Sequence, residues 1–376
     1  MAPVWDVVVV GAGPAGAAAA RAAAQRGART LLVERADLPR YKRCGGGLLG
    51  ISTGLAGIDL APLVRAEAEA IRVTYRFGAS WTRQARQPLL RLVMRDAFDR
   101  ALVDAAQRAG AHLRTGAAVT GVEERPTDVV VRLRAGASLR ARHLVAADGA
   151  SSRIAAAVGV RTAQVDLGLE GEFATPPGWQ RRVWLDWGPV PGSYGWLFPK
   201  GETVTVGVIG DRAQAAALRD YYRRAVRYLG LGTPLIEGGH HTRVRAPDSP
   251  LSTPGGRILL AGDAAGWLEP WTREGISFAL RSGRLAGEAV AAADGPGYAA
   301  RARAVLEPEV DAGRTVLAAF GRSPRTFHAA LRTPLGWREF QALLCGRTSL
   351  AGLQSRLPVR CALAVLGTGR KADPAR

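Results

Sequence analysis

The sequence predicts an α/β fold, α+β overall, with a Rossmann-like domain built from discontinuous segments, an antiparallel-sheet domain and a helical C-terminal tail. Three observations support this prediction. A buried apolar run, "VVVV", leads into a glycine-rich turn near the N-terminus, and a second run, "RILL", leads into a similar turn much later. Between them, "IRVTYRF", "RRVWLDW" and "TVTVGVIG" have the composition and alternation of antiparallel strands.

The first element is a strand, turn, helix and second strand in "WDVVVVGAGPAGAAAARAAAQRGARTLLVER". Gly11, Gly13 and Gly16 complete a GxGxxG pattern between strand and helix, the context in which this pattern binds a dinucleotide pyrophosphate. Glu34 follows the second strand, where its carboxylate can accept hydrogen bonds from both ribose hydroxyls. The segment therefore predicts a dinucleotide site with phosphates at the helix N-terminus.

An amphipathic helix and a strand come next, in "VMRDAFDRALVDAAQRAGAHLRTGAAVTGVEE". Phe98, Leu102 and Ala106 have the apolar spacing of one helix face. Arg95 either pairs with a cofactor phosphate or lies in solvent. Farther on, "LVAADGASSRIA" places Asp148 at a strand end, where it contacts the cofactor or caps the following helix.

The segment "RILLAGDAAGWLEPWTREGISFALRSGRLAG" distinguishes between the two common dinucleotides. Asp263 follows a strand predicted over 258–261 and can bind a hydroxyl of a ribityl chain, which nicotinamide dinucleotides lack. A helix predicted to begin near Gly275 and Ile276 would direct its positive end at the flavin, whose reduced form is anionic. The sequence therefore predicts FAD.

Three large rings stand close together in "PGSYGWLFPK", although the chain is only 6% aromatic. On an extended strand Tyr194, Trp196 and Phe198 project from one face, and we expect Pro199 to end the ladder. The row either packs a sheet onto the core or forms the wall of a pocket for an apolar substrate.

Composition limits the partners. The net charge of +19 is almost entirely arginine, which reflects either a compositional bias or affinity for an anionic membrane surface or phosphorylated substrate. Nucleic acid is not expected, because the basic residues do not cluster with aromatics. Three cysteines without CxxC spacing argue against disulfides and a cysteine metal site, and no metal is expected. We expect a cytoplasmic monomer, peripheral at most at the inner face of the membrane, because no apolar window reaches about 18 residues.

Three separated motifs resemble those of group 2 FAD-dependent oxidoreductases with the aromatic-hydroxylase fold, and more narrowly the geranylgeranyl reductase family. They are "LLVERADLPRYKRCGGGLLG", "PGSYGWLFPK", which matches PxxYxWxFP at every specified position, and "GDAAGWLEPWTREGISFAL". The resemblance covers roughly residues 1 to 290. It implies an FAD-dependent reductase that saturates C=C bonds of a prenyl chain on an isoprenoid lipid, quinone, chlorophyll-type or diphosphate substrate.

The resemblance also implies site residues. It places FAD contacts at Ala15, Glu34, Cys44, Gly45, Gly47, Arg95, Val119, Asp263, Gly275 and Ile276; the full predicted cofactor set adds Gly11, Gly13, Gly16, Arg35 and Asp148. It places Tyr194, Trp196 and Phe198 along the prenyl pocket. Arg273 departs from the family, which usually has glycine there; it strengthens anion stabilisation at the flavin edge or points outward.

Saturating an isolated trisubstituted alkene needs a placed acid, because a hydride does not readily attack an unpolarised C=C. Cys44, flanked by Lys42 and Arg43, is one predicted proton donor, and its alternative role is a buried inert thiol. Tyr194 is the competing donor. Trp196 offers a ring face that stabilises a cation by roughly 0.5–2 kcal/mol. The electron donor is NAD(P)H, bound transiently, or a ferredoxin.

Two other functions stay open. An FAD-dependent aromatic monooxygenase or halogenase of the same fold would consume oxygen, although the halogenase motif WxWxIP is replaced here by residues 194–198. A flavin-binding assembly factor or membrane scaffold would hold FAD that no physiological donor reduces. His240 and His241, in "GGHHTRVRAP", form a basic loop that clamps a diphosphate or lies in solvent.

The predicted domains are discontinuous. Residues 1–70, 95–165 and 250–295 form the FAD-binding domain, 71–94 and 166–249 the substrate-binding domain, and 296–376 a C-terminal helical region. The tail mixes arginine with leucine and aromatic residues, so it lies in a bilayer interface or forms a lid on the substrate domain. Pro334 and Pro358 argue against one long helix.

Overall fold

The computed structural model describes residues 5–368. Its strands are β1 (Trp5–Val10), β2 (Thr30–Val33), β3 (Gly47–Leu48), β4 (Val64–Ala68), β5 (Ala70–Tyr75), β6 (Ser80–Gln84), β7 (Leu90–Val93), β8 (His112–Arg114), β9 (Val119–Glu124), β10 (Val129–Leu133), β11 (Ser138–Ala146), β12 (Thr162–Ala174), β13 (Arg182–Trp187), β14 (Tyr194–Lys200), β15 (Thr203–Asp211), β16 (Ile236–Arg245) and β17 (Ile258–Leu260). Its α-helices are α1 (Pro14–Ala24), α2 (Gly50–Ala56), α3 (Arg95–Arg108), α4 (Arg153–Val158), α5 (Ala215–Tyr228), α6 (Ile276–Ala291), α7 (Gly295–Arg322), α8 (Pro324–Arg332), α9 (Pro334–Leu344), α10 (Leu350–Gln354) and α11 (Leu357–Thr368).

One sheet, here called the cofactor sheet, has the strand order β8-β2-β1-β11-β10-β9, with β17 also paired to β11. The strands β1, β2, β8, β11 and β17 are parallel. Their carboxyl ends therefore meet at one edge, where ligands of such sheets bind. Helices α1 and α6 pack closely, since a Cβ at Gly283 would lie 2.1 Å from the Ala15 carbonyl oxygen.

A second sheet, here called the pocket sheet, has the order β16-β12-β15-β14-β13-β5-β6. Its pairs are antiparallel except β5 with β13, which run parallel. The expectation of a wholly antiparallel sheet was wrong at this pair. The long segment between β5 and β13, which includes several strands of the cofactor sheet, supplies the crossover that parallel pairing requires.

The expectation that Pro199 ends its ladder was also wrong. Strand β14 continues through Pro199 to Lys200, and these residues pair with Val204 and Thr203 of β15. On the other side, the pairing of β14 with β13 stops at Leu197. A proline is tolerated there because β14 has only one partner strand at that point.

The C-terminal helices cover the pocket sheet. Phe320, Phe327 and Phe340 pack in one apolar cluster with Ile71 and Trp187 of the sheet. This packing is what the lid interpretation of the tail predicts. The tail begins with the long helix α7, and the breaks before Pro334 and Pro358 divide the part after it into short helices. No helix within residues 5–368 is long and apolar enough to cross a membrane.

The division into domains stays a prediction. The strands of the cofactor sheet lie in the predicted FAD-binding domain, and most strands of the pocket sheet lie in the predicted substrate-binding domain. A small third sheet, β3-β7-β4, joins strands from both predicted domains, and β12 begins at Thr162, before the predicted boundary.

Candidate cofactor and substrate site

The glycine-rich turn after β1 forms the first wall of the site. Gly11 has φ +101°, and a Cβ there would lie 2.4 Å from the Ala147 carbonyl oxygen; a Cβ at Gly16 would lie 1.7 Å from the Gly11 oxygen. These two glycines are therefore required by the fold. At Gly13 the nearest protein atom to a Cβ is Arg40 Nη2, at 4.0 Å. The open space beside Gly13, at the N-terminus of α1, fits a pyrophosphate.

Glu34 lies buried at the end of β2. Its Oε2 accepts the Ala12 N–H at 2.8 Å and lies 3.6 Å from the Arg40 guanidinium. The Glu34 carbonyl accepts the Ala117 N–H, which brings the start of β9, with Val119, next to the predicted ribose site. Arg35, by contrast, is exposed.

Arg95 is buried rather than solvated, so the solvent alternative was wrong. Its guanidinium donates to both oxygens of Asp99, at 2.9 and 3.1 Å, and the charge of Asp99 raises the pKa of Arg95 against the opposing effect of burial. Arg40 shares Asp99, at 3.2 Å. Arg40, which the sequence did not single out, thus lies between Gly13, Glu34 and Asp99.

The other two strand ends complete the cofactor edge. Asp148 neighbours Gly11, but the cap of α4 is Ser152, whose hydroxyl accepts the Ala155 N–H at 2.9 Å, so the capping alternative for Asp148 was wrong. Asp263 follows β17, and its Oδ1 would lie 3.4 Å from a Cβ at Gly275. The ribityl-binding candidate and the start of α6 are therefore adjacent, as FAD requires.

A cavity of about 190 Å³ connects this edge with the pocket sheet. It is lined by predicted residues from all three motifs, namely Cys44, Gly45, Gly47, Tyr194, Trp196, Phe198, Gly275 and Ile276. A Cβ at Gly45 would lie 2.9 Å from the Phe198 ring and 3.1 Å from Trp196 Nε1. The glycine loop therefore packs directly against Phe198 and Trp196, and the loop and the rings line the same cavity.

The two predicted proton donors differ in their hydrogen bonds. The Tyr194 hydroxyl donates to the Thr272 carbonyl oxygen, and burial raises the pKa of Tyr194 well above its ordinary value. Both effects oppose proton donation by the phenol. The Cys44 sulfur accepts the Gly46 N–H at 3.4 Å, while its carbonyl accepts from Lys200 Nζ at 3.1 Å.

A model of the FAD-binding domain family matches residues 4–170. The chain is 32% identical over 315 residues to digeranylgeranylglycerophospholipid reductase 1 of Methanopyrus kandleri, a match that covers 76% of this chain and 80% of that protein. This chain belongs to the geranylgeranyl reductase family. The predicted family, FAD and oxidoreductase class are thereby confirmed.

Two further members of this family and fold are similar along most of their length. Chloroplastic geranylgeranyl diphosphate reductase of Oryza sativa subsp. japonica is 32% identical over 344 residues, covering 84% of this chain and 71% of that protein. The crystal structure of a geranylgeranyl bacteriochlorophyll reductase-like protein from Thermoplasma acidophilum has a TM-score of 0.80 at 22% identity and covers 96% of this chain and 99% of that one. The latter confirms the fold class.

Arg273 is where this reductase departs from its family's usual glycine. Its φ of +56° is a left-handed conformation that favours glycine. Its side chain is buried and pairs with Asp166, at 3.1 and 3.3 Å. It therefore does not point outward, and Asp166 neutralises the charge that we expected to stabilise the flavin anion.

Sequence reasoning missed a polar group in the cavity of this reductase. Glu274 accepts the Ser277 N–H at 2.7 Å, so a carboxylate already occupies the N-terminus of α6, and burial raises the pKa of Glu274. His240 belongs to β16, not to a loop, and its ring lies over Gly168 of β12. Burial lowers the pKa of His240 to about 4, which makes this imidazole neutral.

Glu170 and Thr242 are two further polar lining residues that sequence reasoning missed. The available signal was the alternation in "VDLGLEGEF", which puts acidic residues at every even position but one. The sequence does not show which strand pairs with β12, so it does not place these side chains beside Trp196.

Proposed function

We propose that this reductase saturates C=C bonds of a prenyl chain. The observation that supports the proposal most is the single cavity shared by the predicted flavin edge and the row Tyr194, Trp196 and Phe198. Bound FAD, once reduced, supplies a hydride. Apolar side chains from several elements, among them Ile71, Leu185, Phe340 and Leu344, complete the cavity and exclude water from the chain.

The rings have a second role in the proposal. Protonation of a trisubstituted alkene leaves positive charge on the tertiary carbon, and the face of Trp196 stabilises such a charge by roughly 0.5–2 kcal/mol. Trp196 is 5% exposed. Its ring centroid lies 5.9 Å from that of Tyr194 and 6.3 Å from that of Phe198. Water, which would capture the cation, has little access to it.

The prenyl chain is a better supported substrate feature than any polar head group. Two relatives are named for a glycerophospholipid and for a diphosphate, and both names include geranylgeranyl. The head group and the electron donor, NAD(P)H or a ferredoxin, are open within the proposal. Peripheral membrane contact is part of it, supported by exposed Leu335 and Leu357 on the arginine-containing tail.

Anaerobic turnover tests the proposal. The FAD-loaded protein is reduced with dithionite, mixed with geranylgeranyl diphosphate, a prenylated quinone or a digeranylgeranyl phospholipid, and the products are examined by mass for gains of two hydrogens. We expect saturated product and flavin reoxidation without oxygen. Reoxidation only after oxygen is admitted, without saturated product, would support the monooxygenase or halogenase instead.

Trp196→Ala tests the role of the ring. We expect turnover to fall by about 2- to 30-fold, the equivalent of the lost cation stabilisation, with FAD content unchanged. Trp179→Ala, outside the cavity lining, is the matched control. Equal turnover in both variants, or loss of folded Trp196→Ala protein, would assign the ring to core packing.

A further inference from the structure

Three carboxyl groups share the cavity face of β12. Asp166, Glu170 and Glu172 are separated by even numbers of residues, so their side chains project from the same side of the strand. All three are buried. Each therefore needs a partner or a proton, because an isolated ionised carboxylate away from water is strongly disfavoured.

Two of the three have a partner. Asp166 pairs with Arg273 at 3.1 Å. Glu172 pairs with Lys200 at 3.3 Å and also accepts the Thr205 hydroxyl at 3.1 Å. Arg273 and Lys200 are themselves buried, so both are internal ion pairs, although Glu172 Oε2 has no hydrogen-bond partner among the described residues.

Glu170 is the exception. It is 3% exposed, lines the cavity, and neither of its carboxyl oxygens has a hydrogen-bond partner among the described residues. Within residues 5–368 Glu170 forms no ion pair, whereas Asp166 and Glu172 each form one, at 3.1 and 3.3 Å. Burial, reinforced by Glu172 and opposed by Lys200, raises the pKa of Glu170 to about 7.

The sheet register explains why Glu170 has no hydrogen-bonding side chain directly across from it on either neighbouring strand. Its neighbours in β15 and β16 are Gly207 and Gly238, which have no side chains to bond it. Gly207 in turn pairs with Trp196, whose indole fills the vacant position: a Cβ at Gly207 would lie 2.3 Å from Trp196 Cζ2. Glu170, Gly207 and Trp196 thus form one row across three strands.

Other titratable groups surround this carboxyl. They are Glu172 on the same strand, Lys200 on β14, His240 on β16, Tyr222 on α5, and Tyr41, Lys42 and Arg43 on the loop after β2. Arg43 lies over Gly238 and donates to the Glu237 carbonyl oxygen at 3.5 Å. The neutral ring of His240 does not readily release a proton, and the Tyr194 hydroxyl donates its proton in a hydrogen bond to the Thr272 carbonyl oxygen.

We propose that Glu170 is the general acid that protonates the substrate alkene. The inference rests on the proposed prenyl reduction. The Glu170 O–H bond breaks as the alkene π pair forms a C–H bond at the less substituted carbon, and the tertiary carbon then accepts the hydride of reduced FAD. The resulting carboxylate recovers a proton from solvent before the next turnover.

The first test needs no substrate. Infrared spectra of the FAD-loaded protein are recorded in H₂O and D₂O between pH about 5 and about 9, a range that spans the titration of a carboxyl with this pKa. We expect a protonated-carboxyl carbonyl band that fades as the pH rises through about 7. The band should be absent from Glu170→Gln and present in Glu237→Gln, whose carboxyl lies exposed on the same sheet. Lack of a Glu170-dependent band in the wild type would overturn the inference.

The second test is anaerobic single turnover with a prenyl substrate. We expect Glu170→Gln to be slower by about 100-fold or more, the usual range for a lost general acid, with unchanged FAD content and substrate affinity. Glu237→Gln should match the wild type, and Glu170→Asp should retain part of the rate. Above pH about 7 the wild-type rate should fall about tenfold per pH unit.

The outcomes separate the two proposals. If the wild type saturates no prenyl chain, the proposed function fails and the inference fails with it. If the wild type is active and Glu170→Gln is within about threefold of it, far from the loss expected of an acid, the inference alone is overturned. The pH profile and Glu170→Asp keep the test decisive if Glu170→Gln does not fold.

Discussion

Two buried carboxyl groups, Asp186 and Glu170, lie on opposite faces of the pocket sheet and differ in their hydrogen bonding. On the face under α5, Asp186 accepts hydrogen bonds from the Thr74 hydroxyl at 2.5 Å, the Phe77 N–H at 2.8 Å and the Tyr221 hydroxyl at 2.8 Å. On the cavity face, Glu170 accepts none from the described residues. Burial raises the pKa of both, to about 6 for Asp186 and about 7 for Glu170.

The comparison distinguishes buried polar groups that stabilise the fold from buried polar groups that are available to bind a ligand. A fully bonded network rigidifies its surroundings, whereas buried polar atoms without partners are rare and costly. Several such atoms belong to residues that line this cavity: Glu170 Oε1 and Oε2, His240 Nδ1, Thr242 Oγ1, and the Nε1 atoms of Trp187, Trp196 and Trp271. We therefore expect substitutions in the bonded network of Asp186 to change mainly stability, and substitutions of Glu170 or Thr242 to change mainly chemistry.

The largest effect is expected at Asp186. Asp186→Ala removes the side-chain acceptor of three donors. The Phe77 N–H loses its acceptor, while the Tyr221 hydroxyl keeps the Asp186 carbonyl oxygen at 3.1 Å and the Thr74 hydroxyl keeps the Leu185 carbonyl oxygen at 3.4 Å. At roughly 1–3 kcal/mol for each bond lost or weakened, the free energy of unfolding should fall by about 4 kcal/mol. Urea denaturation measures it. Glu237→Ala, at an exposed carboxylate, should change the same quantity by less than about 0.5 kcal/mol. Equal losses in the two variants would contradict the structural role of Asp186.

Glu170→Gln should show a stability difference that depends on pH. The folded-state pKa, about 7, lies above the ordinary 4.5, so protonation stabilises the fold fully below pH 4.5 and this stabilisation is lost as the pH rises through about 7. Glutamine does not titrate. From pH about 4 to pH about 8, the variant should therefore gain up to about 3 kcal/mol over the wild type. Parallel stability curves would show that Glu170 titrates normally.

Thr74→Val should cost about 2 kcal/mol of unfolding free energy. The Thr74 hydroxyl donates to Asp186 and accepts the Trp184 indole N–H at 2.9 Å. Valine leaves that N–H without its acceptor and removes one of the three donors to Asp186. Denaturation at neutral pH measures the loss. A neutral result would mean that the Asp186 network tolerates a missing member.

The smallest effect on unfolding free energy is expected from Thr242→Val, the same substitution on the cavity face of the pocket sheet. The Thr242 hydroxyl has no partner among the described residues, so Thr242→Val should leave the unfolding free energy unchanged or raise it by up to about 1 kcal/mol. Its cost should appear instead in substrate affinity or turnover. A loss of stability as large as that of Thr74→Val would remove the contrast between the faces.

The parts of the site that the sequence predicted are those that short segments encode. The glycine turn, Glu34, Asp263 and the alternating rings of β14 depend on neighbours within a few residues. Glu170 depends instead on the pairing of β12 with β15 and β16, which joins segments far apart in the chain. No local pattern contains that information.

The same reason explains the misplaced elements. The β5–β13 pair is parallel because a large part of the cofactor domain intervenes. His240 lies in a strand because Gly168 of β12 accommodates its ring. The direction of the Arg273 side chain could not be decided because its partner, Asp166, lies on β12, far from Arg273 in the sequence.

The indole of Trp196 occupies the place of a side chain that β15 does not have. A glycine within a central strand ordinarily weakens that strand. At position 207, however, the absence of a side chain leaves the space that the Trp196 ring occupies. Alanine at 207 would already put a carbon 2.3 Å from Trp196 Cζ2, so the ring would have to move. The width available to a substrate thus depends on a residue that does not line the cavity itself.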